Sequence, residues 1–263
     1  MSANTLAPFE LSSVGKPDEQ QRSQEPRSPD EVQILSTTTQ LSKRKATFTI
    51  ICVGCSTLLP SIVNGMFTVE IPFIAVDVRL SQDLLLWPQS VVSLVSACTL
   101  LLAGSISDVV GSRHVYLAGT FLQTTFILGV SLARTGTQIL VFRALMGLAQ
   151  SMCWTSSVSI VVGTLPEGKL RNVGFACMGG GQPLGFSLGL VLAGVFTESL
   201  GWRFGLYLVA GINAAVLVMA AYDIRDNKTI SLHIMSKGLR KSIDWIGLLI
   251  ASASLAMLSY MLA

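Results

Sequence analysis

The sequence predicts an all-α integral membrane protein: a bundle of six transmembrane helices followed by a seventh span. Three observations predict it. The 263 residues are 51% hydrophobic and 13% charged, about half the charged share of a soluble domain, and the mean hydropathy is +0.61. Apolar windows close to the ~20 residues that cross hydrocarbon recur along the chain. These windows show no period-two alternation, which argues against a β-barrel. Backbone groups in lipid must then pair within their own segment, which leaves helices. The net charge of +3 is too small to point to nucleic acid.

Residues 1–45 come first, rich in Ser, Thr, Gln, Pro and Glu. They hold too few apolar groups to bury and read as a disordered cytoplasmic tail. The apolar windows fall at 46–68, 88–106, 115–134, 138–162, 173–196, 203–222 and 245–263, so the bundle occupies 46–222 and the seventh span 245–263. The connector 69–87 carries Glu70, Asp77, Arg79 and Asp83, and ends in Trp87 before Pro88. That pair reads as an interfacial aromatic and a first-turn proline. The segment 223–244 is the longest loop. Ile230, Ile234 and Leu239 stand there against Lys237, Arg240 and Lys241, which suits either a short amphipathic helix on the membrane surface or a plain basic loop. Trp202-Arg203, opening span six, reads as an interfacial anchor pair.

Lysine and arginine set the orientation. With the N-terminus inside, the inner segments hold Lys43, Arg44, Lys45, Arg113, Lys169, Arg171, Arg225, Lys228, Lys237, Arg240 and Lys241, and the outer connectors only Arg79, Arg134 and Arg203. The positive-inside rule therefore places the N-terminus in the cytoplasm. That orientation opposes a seven-helix receptor. Neither histidine, His114 nor His233, falls in a span, so an intramembrane Ser–His hydrolase is not indicated and no enzyme activity is expected. The five cysteines lie in apolar runs and read as small packing residues. No His/Cys cluster has metal-ligand spacing, and no cofactor is implied.

Three features carry more than hydropathy. The turn between spans two and three reads GSISDVVGSRH. Gly104 permits close helix approach, Asp108 closes span two, Gly111 can take positive φ, and Arg113 opens span three. Span four carries Arg143 inside an apolar run, where a charge costs at least ~2.5 kcal/mol unless it is paired or wet. Either it snorkels outward or it faces the bundle interior. Asn64 and Gln182 are further polar residues within spans, and each alone reads more readily as interhelical glue than as a ligand contact. Span five repeats small residues every four positions, Gly181, Gly185, Gly189 and Ala193, with Gly194 adjoining. That spacing builds a smooth face against which another backbone can press.

Together these pieces resemble the major facilitator superfamily. GSISDVVGSRH is similar to the family's signature after span two, Arg143 and Gly147 match the span-four signature, and the span-five stripe falls where the antiporter signature lies. GWRFGLYLV, opening span six, and the short connector before IDWIGLLI look like the drug:proton antiporter branch with fourteen spans. LLLWPQSVVSLVSACTLLLAGSISDVVGSR looks like its fungal members. At the place of that branch's span-one acid stands Val63, beside Asn64, and the nearest acid is Glu70.

The resemblance implies the N-terminal half of a multidrug exporter of small organic compounds, a proton-linked carrier rocking about a midplane site. It implies that Gly104, Asp108, Gly111 and Arg113 form a gate turn, that Arg143 serves substrate or proton coupling, with Gln182 and Asn64 as further candidates, and that Gly181, Gly185, Gly189 and Gly194 form a span-five packing face. The plasma membrane is the expected home, and the lipid bilayer and a small organic molecule are the expected partners. Seven spans are half of what that branch uses, so a missing C-terminal half or a second protomer is expected as well. The alternative is a truncated, non-transporting protein that associates with other helices.

Overall fold

The computed structural model describes residues 29–78, 85, 87–223, 247, 250, 253, 254 and 257. The chain divides into Met1–Lys43 and Arg44–Ala263, and the apolar spans all lie in the second unit. Among the described residues six helices are long and apolar enough to cross a membrane. They are α1 (Pro29–Asp77), α2 (Trp87–Val110), α3 (Ser112–Leu132), α4 (Gly136–Thr164), α5 (Lys169–Ser199) and α6 (Trp202–Asp223). The apolar part of α1 is Ala46–Asp77. The expected loop or surface helix at 223–244 lies outside the described residues beyond Asp223. Of the seventh span only Gly247, Ile250, Ala253, Ser254 and Met257 are described, each helical.

The expected spans correspond to α1–α6, with two differences at α1. Residues 29–45, which the composition assigns to a disordered tail, are helical. Pro29 stands at the first helical position, where its missing N–H leaves no helix bond unmade. At its other end α1 runs nine residues past the expected boundary at 68, through Glu70 and Pro72 to Asp77. Phe73, Ile74, Ala75 and Val76 keep the run apolar beyond Glu70, which the windows leave in a connector.

Short turns force neighbouring helices antiparallel. Gly111 alone separates α2 from α3, at φ 97°, with its N–H on the Ser107 carbonyl at 3.0 Å. A side chain is strained at that φ. Thr135 caps α4 by accepting from the Gln138 N–H at 3.4 Å, while Gln138 Oε1 accepts from the Arg134 N–H at 3.0 Å. This is a capping box shifted by one residue, and it fixes where α4 begins. The bundle thus has two ends: one with Gly111 and Arg113, the other with Asp77, Trp87 and Trp202.

Helix α4 packs along both α2 and α3, and α3 packs along α6. Met66, Phe67, Ile127, Ile139, Met146 and Leu206 form the core toward the Trp202 end. Cys52, Val53, Tyr116, Ile160 and Ala220 form a second core toward the Arg113 end. There the Tyr116 hydroxyl donates to the Cys52 carbonyl at 2.8 Å. Phe121, Val141, Leu184, Val191 and Val218 face outward, as a bundle in lipid requires.

The α5 stripe lies against α1. A Cβ at Gly189 would overlap the Ile62 carbonyl oxygen, and one at Gly185 the Leu58 carbonyl oxygen. One at Gly181 would stand 2.6 Å from Thr57 Oγ1. Helix α1 answers with its own small residues, Thr57, Ser61 and Gly65, at the same four-residue step. A Cβ at Gly65 would overlap the Phe186 carbonyl oxygen. Ala193 is fully buried in line with the stripe. Gly194, expected in this contact, is not part of it: it is exposed, with open space where a Cβ would stand. One residue past Ala193 is a rotation of about 100°, which turns it off the stripe.

Gly185→Leu and Gly189→Leu should each lower bundle stability by about 1–3 kcal/mol, the usual cost of overpacking, or more because backbone is struck. Gly194→Leu should stay within about 0.5 kcal/mol. Thermal unfolding of the purified chain in detergent micelles, followed by loss of the monodisperse species, checks the contrast.

Candidate functional site

Arg143 lies two turns into α4 from its capped start, and its side chain is fully buried. A guanidinium carries five N–H donors and cannot lose its charge, so burial requires acceptors. Three are in place. Nε donates to the Pro88 carbonyl at 2.9 Å, one terminal nitrogen to Asn64 Oδ1 at 3.1 Å, and the other to Gln89 Oε1 at 2.7 Å. The fourth contact is a face. The guanidinium carbon stands 4.0 Å from the centre of the Phe67 ring, close enough for a cation–π attraction. Gln89 Nε2 donates to the Asn64 carbonyl at 3.5 Å. Arg143 therefore does not snorkel. It ties α4 to α1 and to the first turn of α2.

Local structure aims these groups. Asn64 and Phe67 sit three residues apart on α1, hence on one face. Pro88 and Gln89 stand in the first turn of α2, at the level Arg143 reaches from the facing helix. Gly147, one turn beyond Arg143, lets α2 come close: a Cβ there would overlap the Val92 carbonyl oxygen. The Arg143–Gly147 pair therefore works as one device, a small residue that brings α2 in and a cation that binds its end.

The same stretch of α1 carries Glu70. It is fully buried, and neither carboxyl oxygen has a hydrogen-bond partner among the described residues. The hydropathy windows put it in a connector; the structure places it inside α1. Gln182, the other candidate for coupling, is exposed on α5 and takes no part in the Arg143 network.

Of the turn residues, Gly104 and Asp108 lie in α2, Gly111 between the two helices and Arg113 in α3. Asp108 is exposed in the last turn of α2. Gly104 approaches α4 at ordinary contact, its Cβ position 3.8 Å from Thr155 Cγ2. Arg113 reaches across to α6 and donates to the Ala221 carbonyl at 3.2 Å. That carbonyl belongs to the last turn of α6, where a cation is favoured by the helix dipole. At the other end Arg203 forms an ion pair with Asp77 at 2.9 Å, donates to the Ala133 carbonyl at 3.1 Å, and stacks on Trp202 at 4.8 Å. An interfacial anchor reading of Trp202-Arg203 does not find this clasp, because the partners lie 70 and more residues away in sequence.

A sequence model of the Major Facilitator Superfamily matches residues 53–263. The chain is 36% identical over 248 residues to MFS-type transporter 1 of Pyricularia oryzae, covering 84% of this chain and 40% of that protein. It is 30% identical over 198 residues to citrate exporter 1 of Yarrowia lipolytica, covering 74% and 28%. It is 28% identical over 187 residues to the cephamycin export protein of Amycolatopsis lactamdurans, covering 71% and 38%. The chain thus spans two fifths or less of these relatives. Among solved structures, a peptide transporter in complex with sulfate superposes with a TM-score of 0.61 at 18% identity, over 80% of this chain and 46% of that one, a likeness of fold.

Gln89→Leu should destabilise the bundle by about 1–3 kcal/mol, because it strands a donor of a buried cation. Arg143→Ala should cost at least as much, and the double variant less than the sum. A coupling energy of about 0.5–3 kcal/mol in a double-mutant cycle, read from unfolding in mixed micelles, checks that the two act as one unit.

Proposed function

The chain belongs to the major facilitator superfamily, and we propose that it works as the N-terminal half of a membrane exporter of small organic molecules. The observation that carries the reading is the Arg143 network. A cation bound by neutral acceptors from two other helices can be released and rebound without covalent change, as a carrier that alternates between two states requires. The similarity to proteins named as exporters of citrate and of cephamycin supports small organic cargo. In this reading Arg143 and Asn64 belong to the coupling or substrate region of a carrier in the drug:proton antiporter branch with fourteen spans.

The gate turn, Gly104, Asp108, Gly111 and Arg113, lies on the cytoplasmic side in this proposal, as does the N-terminus, in the plasma membrane. Helices α2 and α5 are the least enclosed of the six, with 22% and 17% of their apolar windows buried. A C-terminal half or a second protomer would cover their open faces. The second reading, a non-transporting chain that only associates through these faces, is favoured by the same exposure.

Everted plasma-membrane vesicles carrying the chain should accumulate labelled citrate or an amphipathic cationic dye when a proton gradient is imposed. Arg143→Ala at equal membrane abundance should reduce the rate at least about tenfold, the equivalent of ~1.4 kcal/mol in the barrier. Movement of neither class of compound, with the chain inserted and monodisperse, would leave the associating reading. A tag at the N-terminus should resist protease added outside intact cells, and cleavage there would reverse the orientation.

A further inference from the structure

Gln123 of α3 is fully buried, and neither its amide oxygen nor its amide nitrogen has a hydrogen-bond partner among the described residues. A glutamine side chain carries two N–H donors and an acceptor oxygen. Leaving them unmet away from water is costly, and hydrocarbon offers no substitute. The polar groups beside it on α3 are already committed. The Thr120 hydroxyl donates to the Tyr116 carbonyl at 2.8 Å, and the Thr124 hydroxyl to the Thr120 carbonyl at 2.9 Å. Asn213 of α6 donates to Thr124 Oγ1 at 3.1 Å.

Contacts on either side show where the Gln123 amide points. Tyr116 lies seven residues earlier, two turns back on the same face, and its hydroxyl reaches the Cys52 carbonyl of α1. Gly119, one turn back, meets α4: a Cβ there would stand 2.9 Å from Cys153 Sγ. Gln123 therefore points between α1 and α4. Its level on α4 is bracketed, because Gly119 stands against Cys153 and Gly129 against the Phe142 ring. The two helices run antiparallel, so Gln123, four residues past Gly119, stands opposite Ala149, four residues before Cys153. Ala149 is fully buried and offers only a methyl group. Gln150 follows it, buried on the face of α4 that carries Arg143 and Ser157, seven residues away on either side. Those two meet α1, at Asn64 and Ser56. Two buried amides thus come to one level of the interior, on faces that both turn toward α1, without bonding to each other.

We propose that Gln123 and Gln150 hold an internal water between α3 and α4. A buried water needs polar partners and room. The two amides supply donors and acceptors, and the short side chain of Ala149 leaves the room. The water donates to one amide oxygen and accepts from the N–H of the other. A direct bond between the amides would require α3 and α4 to close further, and they already touch at Gly119 and Gly129. The water is then a link between α4 and the α3–α6 pair that can break and re-form without a side chain leaving its place. The site is independent of any transported compound.

The test is water-edited solid-state NMR of the chain in lipid vesicles, with nitrogen-labelled glutamine and asparagine side chains. Magnetisation that starts on water should reach the Gln123 and Gln150 amides about as early as that of Gln138, which is exposed at the start of α4. It should reach Asn213 late, because that amide is buried and bonded to Thr124. Gln123→Leu should remove the early transfer to Gln150. Ala149→Val, which fills the space and keeps both amides, should remove it from both. A Gln123 amide as slow as Asn213 in the unaltered chain overturns the assignment, whatever the variants do. Early transfer to Gln150 that survives Gln123→Leu overturns it too, since the water at Gln150 would then not be shared.

Discussion

A permanent positive charge with no access to water has to be met by acceptors from its own protein, and in this chain that demand organises three helices. Arg143 is 0% exposed and draws on α1 and α2 from its place in α4. The geometry is restrictive, because a planar fork needs acceptors in fixed directions. Asn64 must be level with the start of α2, and Pro88 must offer its carbonyl inward. The capping box at Thr135 fixes the start of α4 and so the depth of Arg143. Gly147 fixes the distance at which α2 can answer.

The second constraint is space. Helices in lipid gain little from hydrophobic burial against each other and must associate by close packing. The α1–α5 contact meets this with three small residues on each side, and the carbonyls of Leu58 and Ile62 occupy the room that side chains would take. Helix α1 is therefore held on two faces by different means: polar and aromatic contacts toward α4, and bare backbone toward α5.

How much of this is legible in the sequence depends on distance along the chain. Hydropathy finds the spans because each is local. The α5 stripe is legible for the same reason, since Gly181, Gly185 and Gly189 share one helix. Its partner on α1 is not, because Thr57, Ser61 and Gly65 are ordinary residues until a second helix faces them. Arg143 stands out as a charge in an apolar run, but its acceptors Pro88 and Gln89 do not. Register between helices is set by packing and leaves no local mark. Glu70 misleads for the opposite reason: a local signal, an acid at the end of an apolar window, suggests a boundary. The apolar run beyond Pro72 carries the helix on, and burial by neighbouring helices decides the matter.

The distribution of arginines divides the bundle mechanically. Helices α3 and α6 are joined at both ends, by Arg113 on the Ala221 carbonyl and by Arg203 on the Ala133 carbonyl. Asn213 adds a bond to Thr124 between them, at 3.1 Å. Separating them means breaking contacts at both ends and in the middle. Helix α2 is held to α4 by the Thr99–Ser151 hydroxyl pair at 2.8 Å and, at its first turn, by Arg143. A contact with a cation at one end of a helix can be lost there while the hydroxyl pair holds the middle, which is the condition for a pivot. The pair α3–α6 has no such free end. If the bundle bends within itself, the physics of these contacts directs the motion to the start of α2 and leaves the α3–α6 pair as the frame.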